Sequence, residues 1–169
     1  MTVLQSKFGV SGDRPPLARR IVRNRCHHEG VHRYFAYGSN MSSTQMAERC
    51  PGSTPIGLAS LPDFRFLINE RGVATVVPEA DAMVHGVLWS TTDEHIESLD
   101  GFEGLAKGNY VRETIEVETD DGAVDALVYL ACHHEPGPPR VGYLETVLGG
   151  ARAFGVLADY IAELAGWRR

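Results

Sequence analysis

The sequence predicts an α+β domain built on a curled, mixed or largely antiparallel sheet, and three observations carry that prediction. Short runs rich in Val, Ile, Phe, Tyr and Trp follow one another with turn residues between them; few long helical periods intervene; and one amphipathic stretch lies near the C-terminus. At 169 residues, 43% of them apolar, the chain can bury one core.

The elements follow in order. Tyr34 to Tyr37 reads as a strand running into a Gly38-Ser39-Asn40 turn, and Ser42 or Ser43 is a good N-cap for a short helix through Arg49. Phe64 to Ile68, Val73 to Val77 and Met83 to Trp89 are three further strands. Thr91, with Glu94 three residues on, has the form of a capping box opening a helix that ends near Leu99. Tyr110 to Glu118 and Ala123 to Leu130 alternate about Asp120-Asp121-Gly122, the signature of a hairpin. Phe154, Leu157, Tyr160, Ile161 and Leu164 fall at helical spacings and predict one helix capping the sheet.

Charge separates the first 33 residues from the rest. They hold Lys7, Arg14, Arg19, Arg20, Arg23, Arg25 and Arg33 against only Asp13 and Glu29, whereas the whole chain carries a formal charge of -6. With a Pro15-Pro16 break and no periodicity, residues 1 to 33 read as a flexible basic extension ahead of a domain at 34 to 169. A targeting peptide, a basic arm lying on the acidic body and an unused upstream start also fit them. The apolar pieces near Val3 and Phe8 lack the form of a secretory signal. The acidic balance argues against nucleic acid as a partner, and no apolar run has the length to cross a bilayer. Three widely spaced cysteines, Cys26, Cys50 and Cys132, fit a reducing cytoplasm.

Two short stretches carry chemistry. Backbone N–H groups converge at a strand-to-helix turn such as Gly38-Ser39-Asn40, which lets it hold a carboxylate, although a tight turn plus an N-cap explains the same residues. In Gly101-Phe102-Glu103-Gly104, placed just past a short helix, glycines permit close backbone approach and an apolar neighbour raises a carboxylate pKa; an exposed loop glutamate is the bland alternative. Cys-His-His-Glu occurs twice, at Cys26 to Glu29 and Cys132 to Glu135, but adjacent histidines in an extended segment point apart and neither copy has the pairing of a structural zinc site, so no metal is expected.

With those residues in view, Tyr34-Phe35-Ala36-Tyr37-Gly38-Ser39-Asn40-Met41 resembles the opening motif of the γ-glutamylcyclotransferase family. The resemblance continues through Gly72-Val73-Ala74-Thr75-Val76, Val84-His85-Gly86-Val87-Leu88-Trp89, Ser98 to Gly104, Gly108-Asn109-Tyr110-Val111, Val128-Tyr129-Leu130 and the proline-rich approach to Tyr143, covering about residues 34 to 145. It implies a mixed, largely antiparallel β-barrel with peripheral helices, and an enzyme that opens γ-glutamyl amides by attack of the substrate's own α-amine on its γ-carbonyl, releasing 5-oxoproline and a free amine or amino acid. By position in the motif Glu103 is expected to be the general base and then the general acid. Tyr34, Phe35, Ala36, Tyr37, Gly38 and Ser39 match the family's substrate-binding loop, and Tyr110, Tyr129 and Tyr143 match tyrosines of its pocket. No metal or organic cofactor is implied, the partner is a small γ-glutamyl molecule, and a homodimer is compatible with the relatives. Asn40-Met41, where the glutathione-specific and γ-glutamylamine branches carry Leu after Tyr-Gly-Ser and Tyr-Gly-Thr, favours γ-glutamyl amino acids and leaves the departing group open. A binding module that uses the same turn without turnover is the alternative from another class.

Overall fold

The computed structural model describes residues 30–168. The reading of residues 1 to 29, with the first Cys-His-His-Glu copy, lies outside them. Five strands close into a barrel: β1 (His32–Ala36), β2 (Thr54–Ile68), β3 (Ala74–Thr91), β4 (Tyr110–Thr119) and β5 (Gly122–Ala131), in the spatial order β1-β3-β2-β4-β5. Every neighbouring pair is antiparallel except β1 and β5, whose parallel contact at Tyr34 and Leu127 shuts the barrel. Four helices lie around it: α1 (Ser43–Arg49), α2 (Asp93–Glu103), α3 (Tyr143–Ala153) and α4 (Ala158–Ala165). The mixed, largely antiparallel barrel with peripheral helices is therefore the observed architecture. β1 begins at His32, whose register partner is Thr91, so the boundary placed at residue 33 falls inside a strand.

The interior is filled by Phe35, Leu61, Ile68, Leu88 and Ile115 from the strands and by Leu144, Leu148 and Leu164 from the C-terminal helices, all essentially without solvent contact. A fully buried side chain of this size contributes about 1.5–3 kcal/mol.

The hairpin at Asp120-Asp121 forms as expected, with Thr119 opposite Gly122 and Gly122 at a φ of 115° that suits glycine. The strands expected at Val73 to Val77 and Met83 to Trp89 are instead one continuous β3, and β2 starts at Thr54 rather than Phe64. Residues 54 to 63 read as loop because of Pro55, Gly57 and Pro62; the structure uses them at register shifts between Pro55 and Gly57 and between Pro62 and Phe64, where a bulge tolerates a missing ladder donor. At the second shift Asp63 and Asp81 both take left-handed φ, and the Asp63 carboxylate accepts from the Asp81 N–H at 3.2 Å.

Helix α2 is capped by Thr92, one residue later than the Thr91 expected. The Thr92 hydroxyl accepts from the His95 N–H and His95 Nδ1 accepts from the Thr92 N–H, so histidine fills the place expected of Glu94. The helix runs to Glu103, not Leu99, and stops at Gly104 in the left-handed conformation. The C-terminal helix expected over Phe154 to Leu164 is α4 alone, and α3 is a further helix ahead of it. Phe154 caps α3, Gly155 turns the chain at a φ of 74°, and Leu157, expected on the buried face, precedes α4 and is 63% exposed. Tyr160 and Leu164 do face the core.

Candidate active site

One cavity gathers most of the residues singled out by the sequence. Its wall holds Tyr34, Tyr37, Gly38, Ser39, Glu103, Tyr110, Tyr129 and Tyr143, with Asn40, Gln45, Arg49, Arg71, Phe102 and Arg140 among the others, around an accessible space of about 210 Å³. Phe35 and Ala36, expected to touch substrate, do not line it. Phe35 is fully buried with its ring against Gly86, where a Cβ would stand 2.9 Å from the ring and 2.3 Å from the Ala36 carbonyl oxygen. These two residues fix the strand that carries the loop.

The loop itself is local in origin. β1 ends at Ala36, Gly38 precedes a short 3-10 turn over Ser39–Met41, and the Met41 N–H donates to the Gly38 carbonyl at 3.0 Å. Ser42 then caps α1, accepting from the Gln45 N–H at 3.4 Å. Helix α3 presses on this turn through Gly150: an added Cβ there would lie 2.6 Å from the Met41 carbonyl carbon and the Ser42 nitrogen. Tyr143, from the same helix, accepts from the Ala74 N–H through its hydroxyl at 3.0 Å, and that hydroxyl stands 3.0 Å from where a Gly38 Cβ would be.

Asn40 is the hub. Its Oδ1 accepts from Gln45 Nε2 at 2.8 Å and from Arg49 Nη1 at 3.0 Å, donors one turn apart on α1. Its Nδ2 donates to the Tyr34 hydroxyl at 2.8 Å and faces Glu103 Oε1 at 3.4 Å. All four bonding positions of the amide are thus engaged, which fixes which end is oxygen. Gln45 Nε2 also donates to Ser39 Oγ at 2.6 Å.

Glu103 is the last residue of α2, and Gly104 turns the chain sharply behind it, at a φ of 68° with Asn109 packed against it. Its side chain is 16% exposed, and Arg49 Nη1 lies 3.6 Å from Oε1. Burial pushes the Glu103 carboxyl above the usual carboxylate range; the Arg49 charge and the Asn40 amide pull the other way and do not cancel it. Arg49 lies 4.8 Å from the centre of the Phe102 ring, which is 60% exposed and covers the guanidinium from outside.

The tyrosines are held by the frame. The Tyr37 hydroxyl donates to the Tyr129 carbonyl, Tyr110 to the Ala74 carbonyl at 2.8 Å, and Tyr129 to Asp100 Oδ1 at 2.6 Å, while Asp100 is held in turn by Arg112 Nη1 at 2.6 Å. Burial raises the pKa of Tyr34, Tyr37, Tyr110, Tyr129 and Tyr143 alike, so all five phenols stay protonated at neutral pH. Among the described residues Glu103 is then the one carboxylate on this wall, which holds no histidine, and the group there suited to accept a proton.

Sequence reasoning missed Gln45, Arg49, Arg71 and Arg140 and left Asn40 without a site role. Gln45 and Arg49 had a readable signal, since they share one face of a capped helix immediately after the motif. Arg71 and Arg140 come from the β2–β3 turn and the proline-rich segment, 69 positions apart, and nothing in their spacing pairs them. In the second Cys-His-His-Glu copy Cys132 is exposed and His133 Nδ1 pairs with Glu70 at 3.1 Å, away from the cavity.

Residues 83–164 match the AIG2-like family. The γ-glutamylcyclotransferase of Mus musculus is 32% identical over 142 residues, which cover 78% of this chain and 76% of that protein. The γ-glutamylcyclotransferase of Homo sapiens is 30% identical over the same length and coverage. A solved structure described as a γ-glutamyl cyclotransferase superposes with a TM-score of 0.75 at 29% identity, covering 80% of this chain and 86% of the other.

Proposed function

The chain belongs to the γ-glutamylcyclotransferase family, and on that premise we propose that it opens γ-glutamyl amino acids or related γ-glutamyl amides without water, with Glu103 moving the protons. The observation that carries this reading is the partly desolvated carboxylate sharing one cavity with the Gly38-Ser39 turn, where the other titratable groups among the described residues are neutral phenols and guanidinium cations.

The chemistry follows from the charges. The α-ammonium of the substrate, with a pKa of about 8 or above, must lose a proton before its nitrogen can attack. A carboxylate raised above its usual range is better matched to that transfer than an exposed one. The freed amine closes onto the γ-carbonyl carbon; main-chain N–H groups of the Gly38-Ser39 turn stabilise the oxyanion that forms. As the bond to the departing nitrogen breaks, Glu103 returns a proton to that nitrogen, and 5-oxoproline and a free amine leave. The cavity's task is mainly to hold the flexible glutamyl chain bent, since a near-attack geometry supplies much of the acceleration of a ring closure. Tyr34 and Asn40 hold the floor beneath Glu103, and Tyr143 and Tyr110 brace the wall at Ala74.

Incubation with a panel of γ-glutamyl amino acids, glutathione and γ-glutamyl amines, read by mass spectrometry, tests the reaction class. Release of 5-oxoproline from at least one member is expected. Release of free glutamate instead would mean hydrolysis, and no product from any member would refute the reading.

A further inference from the structure

The cavity has a second cationic group that the proton chemistry leaves unused. Arg71 sits in the tight turn between β2 and β3, where the Asn69 side chain accepts from the Arg71 N–H at 3.0 Å and Gly72 takes a φ of 75°. The proline-rich segment docks on that turn. The Arg140 N–H donates to the Gly72 carbonyl at 3.0 Å and Arg140 Nε to the Arg71 carbonyl at 2.7 Å. Only glycine fits at position 72, because a Cβ would come within 2.7 Å of Arg140 Cγ and 2.8 Å of its backbone nitrogen. Both arginines line the cavity, and among the described residues neither guanidinium is paired with a carboxylate. Anchoring Arg140 through Nε leaves its two terminal nitrogens in the fork that matches a carboxylate.

The arginines of the cavity are engaged differently. Arg49 is committed to Glu103 and Asn40, whereas Arg71 and Arg140 act on Tyr110, pulling its pKa down against burial. A γ-glutamyl substrate whose α-amine reaches Glu103 carries its α-carboxylate on the adjoining carbon, beside the Glu103 and Arg49 pair. In the bent substrate the departing group hangs from the γ-carbonyl carbon, across the attacking nitrogen from the α-carboxylate, so a carboxylate at its own end lies several bonds beyond Glu103 and is the one left for Arg71 and Arg140.

We propose that Arg71 and Arg140 form a subsite for a carboxylate on the departing group, and so set which γ-glutamyl amides are used. The proposal rests on the cyclotransferase reading above. The subsite favours departing groups that end in a free carboxylate, amino acids above all, over neutral amines of the same size.

The test compares kcat/KM for γ-glutamyl-alanine and γ-glutamyl-alaninamide, which differ only in the terminal charge. A charge-assisted, forked contact implies a preference for the acid of at least about tenfold in the unaltered protein. In Arg71→Gln that ratio is expected to fall towards one, chiefly through a higher KM for the acid, because the contact is made equally in ground and transition states; Arg71→Lys should retain part of it. Arg140→Gln should act in the same direction, and if it fails to fold, Arg71→Gln carries the test alone. An acid-to-amide ratio unmoved in Arg71→Gln would overturn the proposal, as would equal losses on both substrates, which would place the pair on the α-carboxylate they share. If the unaltered protein turns over neither compound nor any member of the wider panel, the cyclotransferase reading itself falls and the subsite with it.

Discussion

Keeping a carboxylate desolvated at the end of a helix costs stability, and at Glu103 the sign of that cost can be measured. Its pKa is raised in the folded chain, so the native state holds the proton more tightly than the unfolded one. The stability that linkage contributes is present below the ordinary carboxylate range and lost as pH rises through the raised value. Glu103→Gln should therefore melt higher than the unaltered protein near neutral pH, with the gap closing at about pH 3, below the ordinary carboxylate range, where both states of the original residue are protonated. Calorimetry at the two pH values checks this. Arg49 opposes the upward shift, so Arg49→Met should move the acidic limb of the rate profile to higher pH, while the limb would stay in place if Arg49 served packing alone. The octapeptide from Tyr34 to Met41 and the glycines around Glu103 made the site legible, because turn glycines and a carboxylate leave a pattern in order. Asn40 was visible in the motif, but its role was not: joining Gln45, Arg49, Tyr34 and Glu103 through one amide is a property of three elements meeting, and no local spacing encodes it.

Helices and strands were readable where one local signal dominated and misread where tertiary packing overrode it. The Asp120-Asp121-Gly122 hairpin is local and formed as expected. Helix α3 escaped notice because Gly149-Gly150 lowers helical propensity. Packing supplies the reason for one of those glycines, since Gly150 is where α3 meets the backbone of the loop after β1. Gly150→Ala raises helix propensity yet forces the Met41–Ser42 backbone to shift, so a net loss of about 1–3 kcal/mol is expected together with reduced turnover, although residue 150 does not line the cavity. Chemical denaturation and an initial-rate assay on the same preparation check both halves; a variant as stable as the original and fully active would show that the contact is slack. At the end of α2, Gly104→Ala places a side chain at a φ of 68° and against Asn109, and a loss of about 1 kcal/mol or more is expected by the same denaturation measurement.

At the scale of the molecule, the fold depends on β1, which pairs with β3 on one side and β5 on the other and leads directly into the site loop. The α+β class and the predominance of antiparallel pairing were legible from short strands in succession. Closure was not, because it depends on Tyr34 meeting Leu127 in parallel across more than half the chain, and only the family resemblance implied it. Strand β1 begins at His32, so removal of residues 1–29 is expected to leave turnover within about twofold, whereas removal through Ala36 should abolish folding; circular dichroism and the same rate assay separate the two.

The central claim is that one carboxylate, seated between α1, α2 and the loop after β1, carries the protons of the ring closure. It is tested most directly by 5-oxoproline release from γ-glutamyl-alanine by Glu103→Gln beside the unaltered protein, both shown folded by circular dichroism. The loss of a positioned general base predicts a fall of at least about a hundredfold in kcat with the fold intact. Turnover by the folded variant at the rate of the original would contradict it.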